Sequence, residues 1–140
     1  IQPGPHDAPR LADRLRAAAK RLLGGVEWRF QIVGLEQAPS LDVQRHLLLA
    51  LKEMLHNVLR HAGAHRVEIS LTVCDQRFVL EVRDDGRGGA GTSSGDGHGL
   101  MSLRHRAELL GGALHFESRP GKGTQVSLNG SLLMGLKPSP

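Results

Sequence analysis

The sequence predicts an α+β fold, a two-layer α/β sandwich in which a mixed, mostly antiparallel five-stranded sheet carries three helices on one face. The first observation behind this prediction is that the apolar residues switch between helical spacing and strict alternation along the chain. They give the order helix, strand, helix, two strands, loop, helix, two strands. The second observation is that paired strands are joined by short connections typical of hairpins. A length of 140 residues, with 39% hydrophobic and 23% charged residues, fits one such domain.

The first helix and the first strand are predicted from the N-terminal quarter of the chain. Apolar residues recur at helical spacing from Leu11 to Leu22, with Asp7 as the expected cap and Gly24-Gly25 as the stop. From Val26 to Val33 apolar and polar residues alternate, which predicts a short half-buried strand. Residues 1–9 are rich in proline, and we expect them to be irregular.

A long central helix is predicted up to Ala62, with Pro39-Ser40 marking its beginning and Ser40 as its N-cap. Its apolar face consists of Leu47, Leu51, Leu55, Val58 and Ala62. Its polar face, which spans about a third of the circumference at about 100° per residue, consists of Glu53, Asn57, Arg60 and His61. An interior asparagine is a poor helix former because its side chain competes for backbone hydrogen bonds. The pattern therefore indicates either a functional face or a merely solvent-exposed asparagine.

The remaining elements follow the central helix. Alternation over residues 66–74 and 78–82, joined by Asp75-Gln76, predicts a hairpin with one buried face. Helical spacing returns from Leu100 to Leu110 and stops at Gly111-Gly112. Leu114 and Phe116 mark a strand, residues 119–123 a turn, and residues 124–128 the last strand.

A glycine-rich loop separates the hairpin from the third helix. After Asp84-Asp85-Gly86-Arg87 it contains Gly88, Gly89, Gly91, Gly95, Gly97 and Gly99. Glycine permits close backbone approach to a ligand, and consecutive amides or a helix N-terminus favour an anion such as phosphate. Asp84, at the mouth of this loop, can accept a hydrogen bond from the exocyclic amine of a base. The simpler alternatives are a flexible surface loop and a turn-forming aspartate.

Composition excludes several function classes. The net charge of +4 and the pI near 10.0 suit an anionic ligand, but the cations are scattered and only four aromatic residues could stack bases, so we expect no nucleic-acid partner. The single cysteine, Cys74, rules out an internal disulfide and indicates a reducing compartment. No apolar run approaches the roughly 20 residues of a membrane span, so we expect no membrane contact by this chain. Because it begins at Ile1, we expect it to be part of a longer protein.

Four sequence motifs, taken in order and spacing, carry a family resemblance. They are Glu53-x-x-x-Asn57-x-x-Arg60-His61-Ala62, Asp84-x-Gly86-x-Gly88, Gly97-His98-Gly99-Leu100 and Gly123-Thr124. Together they resemble the GHKL ATP-binding (Bergerat-type) fold of gyrase, heat-shock chaperone, histidine kinase and mismatch-repair ATPases. The Arg104-x-Arg106 and Leu110-Gly111-Gly112 segments are similar to the nitrate-sensor-type branch of bacterial sensor histidine kinases.

The resemblance implies roles for the central helix. Asn57 would be the Mg²⁺ ligand, and Glu53 would orient a Mg²⁺-bound water or assist removal of a proton from the nucleophile. Arg60 would contact phosphate, and His61 would pack near the nucleoside. Apart from the resemblance, the positions of Arg104 and Arg106 on the third helix leave two alternatives open: they reach a phosphate, or they only solvate their helix.

The resemblance also implies roles for the loop and its flanks. Asp84 would accept a hydrogen bond from the adenine amine, and Thr124 would lie near the base. Gly86 and Gly88 would admit the ring. The ATP lid over the phosphates would end at Gly97, His98 and Gly99, with Leu100 following in the same motif.

The function implied is that of the ATP-binding catalytic domain of a sensor histidine kinase, with ATP and Mg²⁺ as cofactors. It would donate the γ-phosphoryl group to a histidine on a separate dimerisation domain of the same parent protein, with a response regulator downstream. This domain would lie in the cytoplasm, whether or not the parent protein carries a membrane anchor elsewhere. Residues 10–130 would form this domain, between an irregular segment at 1–9 and a tail at 131–140.

Two alternatives to this function stay open. An anti-sigma-factor-type serine kinase would use the same motifs, and a non-catalytic interaction module would keep only a vestigial nucleotide pocket. His6, followed by Asp7, superficially resembles a phosphoacceptor pair. Its proline-rich setting is wrong for the helix that such an acceptor needs, so we expect the acceptor histidine to lie elsewhere.

Overall fold

The computed structural model describes residues 7–61, 63–86 and 97–133. Within these residues the chain forms three helices and five strands, in the predicted order. They are α1 (Asp7–Leu22), β1 (Glu27–Val33), α2 (Leu41–His61), β2 (Arg66–Cys74), β3 (Arg77–Asp84), α3 (Gly97–Leu109), β4 (Leu114–Arg119) and β5 (Gly123–Ser131). None of the helices in this described part is both long and apolar enough to cross a membrane.

The strands form one mixed sheet in the order β1-β2-β3-β5-β4. β1 runs parallel to β2, and the other neighbouring pairs are antiparallel. A parallel pair needs a crossover connection, which α2 supplies between β1 and β2. The β2–β3 hairpin turns at Asp75 and Gln76, whose φ angles of 52° and 65° are both positive, as in the type I′ turn. The predicted fold class is therefore confirmed.

One face of the sheet is covered by the helices. Its buried side chains are Val67, Ile69, Leu71, Phe78, Leu80, Val82, Val126 and Leu128. They form one core cluster with apolar residues from α1, α2 and α3. The opposite face carries a polar row that crosses the sheet at matched register positions, namely Arg29, Glu68, Arg83, Gln125 and Glu117. The sheet therefore has one helix-covered face and one solvent-facing face.

The central helix follows its sequence pattern. The hydroxyl of Ser40 accepts a hydrogen bond from the Val43 N–H at 3.3 Å, which confirms the predicted N-cap. The predicted apolar residues Leu47, Leu51 and Leu55 are fully buried, as expected for the face that packs on the core. The other face of α2 is thus fixed in orientation, and with it the polar residues that it carries.

The ends of three elements differ from the prediction. α1 begins at Asp7, so residues 7–9 are helical rather than irregular and Asp7 is the first helical residue rather than the cap. Pro9 is tolerated there because N–H groups of a first helical turn have no intrahelical acceptor. β5 extends to Ser131, and the next residue, Leu132, is buried with its N–H bonded to the Gln76 carbonyl at 2.8 Å, so the predicted tail begins too early at residue 131. α3 begins at Gly97, so the segment expected to end the lid is its first turn.

Candidate functional site

Asp84 ends β3 on the helix-covered face, because side chains alternate along a strand and Leu80 and Val82 share its face. It is only 5% exposed. Its Oδ1 accepts a hydrogen bond from the Gly86 N–H at 2.8 Å, and the carboxylate also accepts one from the backbone of Thr124. The structure thus brings together three of the predicted site residues, Asp84, Gly86 and Thr124.

The electrostatics of Asp84 set it apart from a solvated aspartate. Burial raises the pKa of the Asp84 carboxyl above its usual range, and the neighbouring Asp85 carboxylate adds to the rise. The backbone hydrogen bonds from Gly86 and Thr124 act in the opposite direction. A buried carboxyl that costs folding free energy is more typical of a binding site than of a turn.

Gly123 allows β5 to begin against Asp84. A Cβ at this position, where φ is +84°, would lie 2.1 Å from the Asp84 carbonyl oxygen. A side chain is therefore excluded by both the backbone conformation and the contact. Close packing against Asp84 therefore explains why the Gly123-Thr124 motif contains a glycine, and the sequence alone did not reveal this contact.

Two further residues, Ser118 and Asp85, support this group, and the sequence motifs predict no role for either of them. The Ser118 hydroxyl lies 2.9 Å from the Thr124 hydroxyl, which fixes the side chain expected near the base. Asp85 Oδ1 accepts hydrogen bonds from the His65 and Arg66 N–H groups at 2.9 Å each, and these lower the pKa of the exposed Asp85 carboxyl. No sequence pattern indicated these contacts, because each joins residues from different elements.

Glu53 lies on α2 where that helix meets α3. Its Oε1 accepts hydrogen bonds from Arg106 Nη2 at 2.7 Å and Nε at 3.2 Å. The Glu53 and Arg106 side chains are 25% and 17% exposed, so the pair is largely withdrawn from water. From its place on the third helix, Arg106, like Arg104, is expected to reach a phosphate or to solvate its helix. Instead it forms an ion pair with the predicted catalytic glutamate.

For the other predicted site residues the structure gives burial and position on a helix, or does not describe the side chain. Asn57 is half-buried one turn after Glu53, and Arg60 is exposed in the last turn of α2. Leu100 is half-buried and packs against the core. Gly88 lies outside the described residues, as do the side chains of His61 and of the 97–99 segment. The convergence of Asn57 and Asp84 on one nucleotide therefore stays a prediction, although α2 packs on the sheet face that Asp84 shares.

A cavity of about 440 Å³ opens at the same end of the sheet. Asp84 and Thr124 contribute to its lining, but Glu53 and Asn57 do not. Its other walls include Arg66, Glu68, Arg83, Asp85, Glu117, Arg119, Lys122 and Gln125. Several of these belong to the polar row, so the cavity is on the solvent-facing side of the sheet. The cavity that Asp84 and Thr124 line therefore lies on the opposite side of the sheet from α2, the helix that carries Glu53 and Asn57.

Comparison with known proteins supports the family that the sequence motifs indicate. A family model described as "Histidine kinase-, DNA gyrase B-, and HSP90-like ATPase" matches residues 42–132. The chain is 38% identical over 90 residues to the nitrate/nitrite sensor protein NarQ of Escherichia coli, covering 63% of this chain and 16% of that protein. It is 34% identical over 104 residues to the sensor histidine kinase LiaS of Bacillus subtilis, covering 74% and 28%. The sensor histidine kinase NarS of Mycobacterium tuberculosis is 42% identical over 81 residues, covering 54% and 19%. The chain thus spans less than a third of the length of these relatives.

Solved structures share the fold. The histidine kinase domain of the Erythrobacter litoralis EL346 blue-light activated histidine kinase superimposes with a TM-score of 0.68 at 22% identity, covering 89% of this chain and 60% of that one. The Acinetobacter baumannii histidine kinase AdeS gives a TM-score of 0.66 at 17% identity, covering 89% and 64%. At these identities the likeness concerns the fold alone.

Proposed function

Because the chain belongs to the family of histidine kinase-, DNA gyrase B- and HSP90-like ATPases, we propose that it binds Mg-ATP as the catalytic domain of a nitrate-type sensor histidine kinase. The observation that carries this proposal is the buried Asp84 carboxylate, held by Gly86 and Thr124 on the helix-covered face. A carboxylate withdrawn from water at a sheet end is a strong hydrogen-bond acceptor for one amine, which is what selection of adenine requires.

Asp84 accepts a hydrogen bond from the exocyclic amine of adenine. Its two backbone donors hold the carboxylate in place before the base arrives, so little ordering is required on binding. Thr124, whose hydroxyl is held by Ser118, lies beside the base. Gly86, which is buried and has no side chain, leaves room for the ring.

The residues on α2 fit a magnesium ion. Asn57 supplies a neutral amide oxygen, and Mg²⁺ binds few protein oxygens while keeping phosphates and waters as its other ligands. Bound with ATP, the ion neutralises phosphate charge. Glu53, one turn from Asn57, then orients a water or removes the proton of the attacking nucleophile.

Cationic side chains and backbone amides bind the phosphates. Arg60 is exposed in the last turn of α2 and is available to a phosphate, with His61 beside the nucleoside. The N-terminus of α3, at Gly97-His98-Gly99, offers backbone amides and a favourable dipole, with Leu100 anchoring that turn in the core. Phosphoryl transfer needs mainly positioning and charge neutralisation, which these groups provide.

The acceptor is a histidine on a separate dimerisation domain of the parent protein, and a response regulator receives the phosphoryl group next. Both partners act in the cytoplasm. The matched relatives are several times longer than this chain, which agrees with an acceptor domain elsewhere in the parent.

Transfer of label from γ-labelled ATP to a supplied acceptor domain tests the proposal. We expect protein-bound phosphate that is lost in acid and kept in alkali, as for phosphohistidine. The Asp84→Asn variant should transfer none, whereas Asp75→Asn, the same change at the other end of the β2–β3 hairpin, should transfer normally.

Acid-stable phosphate would favour the anti-sigma-factor-type serine kinase instead. A melting temperature that ATP and Mg²⁺ leave unchanged would favour the interaction module and overturn the proposal.

A further inference from the structure

Three polar side chains form a cluster between α2 and α3, which we call the α2–α3 cluster: His46, Glu53 and Arg106. Arg106 donates two hydrogen bonds to Glu53 Oε1, at 2.7 and 3.2 Å. Its Nη1 lies 2.9 Å from His46 Nδ1. The planar guanidinium therefore joins two residues of α2, with His46 two turns before Glu53.

The chemistry of the guanidinium fixes the state of His46. Arginine carries only donors, so His46 Nδ1 must accept this hydrogen bond. The imidazole is then neutral, with its proton on Nε2. A second proton on His46 would place two donors against each other and break the contact.

The charges around His46 favour the neutral form. On α3 it faces Arg106, and on its own helix it faces Arg45 and Asp42. Burial, followed by Arg106 and then Arg45, lowers the pKa of His46, while Asp42 acts in the opposite direction. The cluster is therefore intact at neutral pH.

Both bonds from Arg106 go to the same carboxylate oxygen, Oε1. Glu53 and Asn57 are i and i+4 on one helix, so the carboxylate that Arg106 holds is next to the Asn57 amide. We propose that Arg106 is a positioning residue that fixes Glu53 beside Asn57, and that a neutral His46 holds Arg106 in turn. This inference rests on the proposed function, because it assigns the cluster to the Mg²⁺ end of the ATP site.

The test is calorimetric titration of the chain with ATP, with and without Mg²⁺, at about pH 8, where a histidine is neutral. The proteins compared are wild type, Arg106→Gln, Glu53→Gln, the double variant and Arg106→Lys. Arg21→Gln is the control, because it removes an exposed arginine from the last turn of α1. Urea unfolding of each variant shows that it is folded.

If Arg106 acts through Glu53, affinity for ATP without Mg²⁺ should change less than about twofold in every variant. The gain in affinity on adding Mg²⁺ should fall about tenfold in Arg106→Gln, the size expected for one hydrogen bond to a charged group. Arg106→Gln should add nothing further in the Glu53→Gln background. Arg106→Lys should restore part of the gain, since an ammonium can pair with Glu53 but cannot bridge to His46.

Three results would overturn the inference. One is an unchanged Mg²⁺ gain in folded Arg106→Gln. Another is a loss of Mg²⁺-free ATP affinity in Arg106→Gln that persists in the double variant, because Arg106 would then contact phosphate directly. The third is a wild type that binds no ATP, which would overturn the proposed function as well and is thereby distinguished from the first two.

The role of His46 is tested by His46→Asn, whose amide oxygen can replace Nδ1 as an acceptor that does not titrate. At about pH 8 this variant should match wild type, and at an acid pH at which an NMR titration shows His46 of wild type to be protonated it should keep more of the Mg²⁺ gain than wild type. Comparing the two proteins at the same pH cancels the titration of ATP itself. Equal gains at both pH values would refute the part assigned to His46.

Discussion

Replacing Asp84 by asparagine should separate binding from stability. The carboxylate is buried, and burial dominates the rise in its pKa, so its charged form costs folding free energy. In wild type the Gly86 N–H donates a hydrogen bond to Asp84 Oδ1 at 2.8 Å, and the Oδ1 of asparagine can accept the same bond. We therefore expect the free energy of unfolding of Asp84→Asn at neutral pH to equal or exceed that of wild type.

Binding of the base should be lost in the same variant. The charge-assisted bond from the adenine amine is worth about 1.5–3 kcal/mol, and a donor left unsatisfied costs about 1–3 kcal/mol more. Together these give about 2.5–6 kcal/mol, which weakens binding roughly a hundredfold to ten-thousandfold. Adenosine, which carries the base without phosphates, isolates this contribution in a calorimetric titration.

The pH dependence of stability provides an internal check. A carboxyl whose pKa is raised in the folded state destabilises the fold above that pKa, and the penalty disappears as pH falls through it. Any stability advantage of Asp84→Asn over wild type should therefore be largest at neutral pH and shrink on acidification. A variant that binds adenosine like wild type, or that unfolds far more easily at neutral pH, would refute this assignment of Asp84.

Two further predictions concern Gly123 and Asp85, the two residues beside Asp84. Gly123→Ala should lower the free energy of unfolding by more than about 2 kcal/mol, because the added Cβ would overlap the Asp84 carbonyl. Gly121→Ala is the matched control, since φ is also positive there but nothing lies within 4 Å, and urea unfolding should show it to be the milder change. In Asp85→Asn, stability should depend less on pH in the acid range, because a carboxyl with a lowered pKa stabilises the fold above its usual pKa and loses that contribution as pH falls. Equal costs for the two glycine variants, or parallel pH profiles for Asp85→Asn and wild type, would contradict these assignments.

The helices and strands were predictable because each type of element has its own spacing of apolar residues along the sequence. Alternation in β2 and β3 fixed which residues face the core, and this placed Asp84 on the helix-covered face. The apolar stripe of α2 likewise fixed its polar face. The beginning of α1 differs from the prediction because a proline-rich stretch predicts irregular chain, whereas the first turn of a helix accepts a proline such as Pro9.

The contacts within the site were less predictable, because they join residues that are distant in sequence. Glu53 and Arg106 are 53 positions apart, and spacing within α2 or α3 cannot show that they form an ion pair. The same holds for Asp85 with the start of β2. Ser118 lies across a turn from Thr124, but only the β4–β5 register brings the two hydroxyls together. Residue types at the site were thus predictable, while their partners required the structure.

Asp84 and Asn57 are proposed to bind opposite ends of one nucleotide. Calorimetric titration of wild type, Asp84→Asn and Asn57→Ala with ATP, with and without Mg²⁺, tests it directly. Wild type should bind ATP and bind it more tightly with Mg²⁺, Asp84→Asn should bind in neither condition, and Asn57→Ala should bind ATP without any gain from Mg²⁺. At a hundred times its dissociation constant, the ligand should add about 2.7 kcal/mol to the stability of wild type. Equal affinities for all three proteins would show that these two residues do not bind the nucleotide.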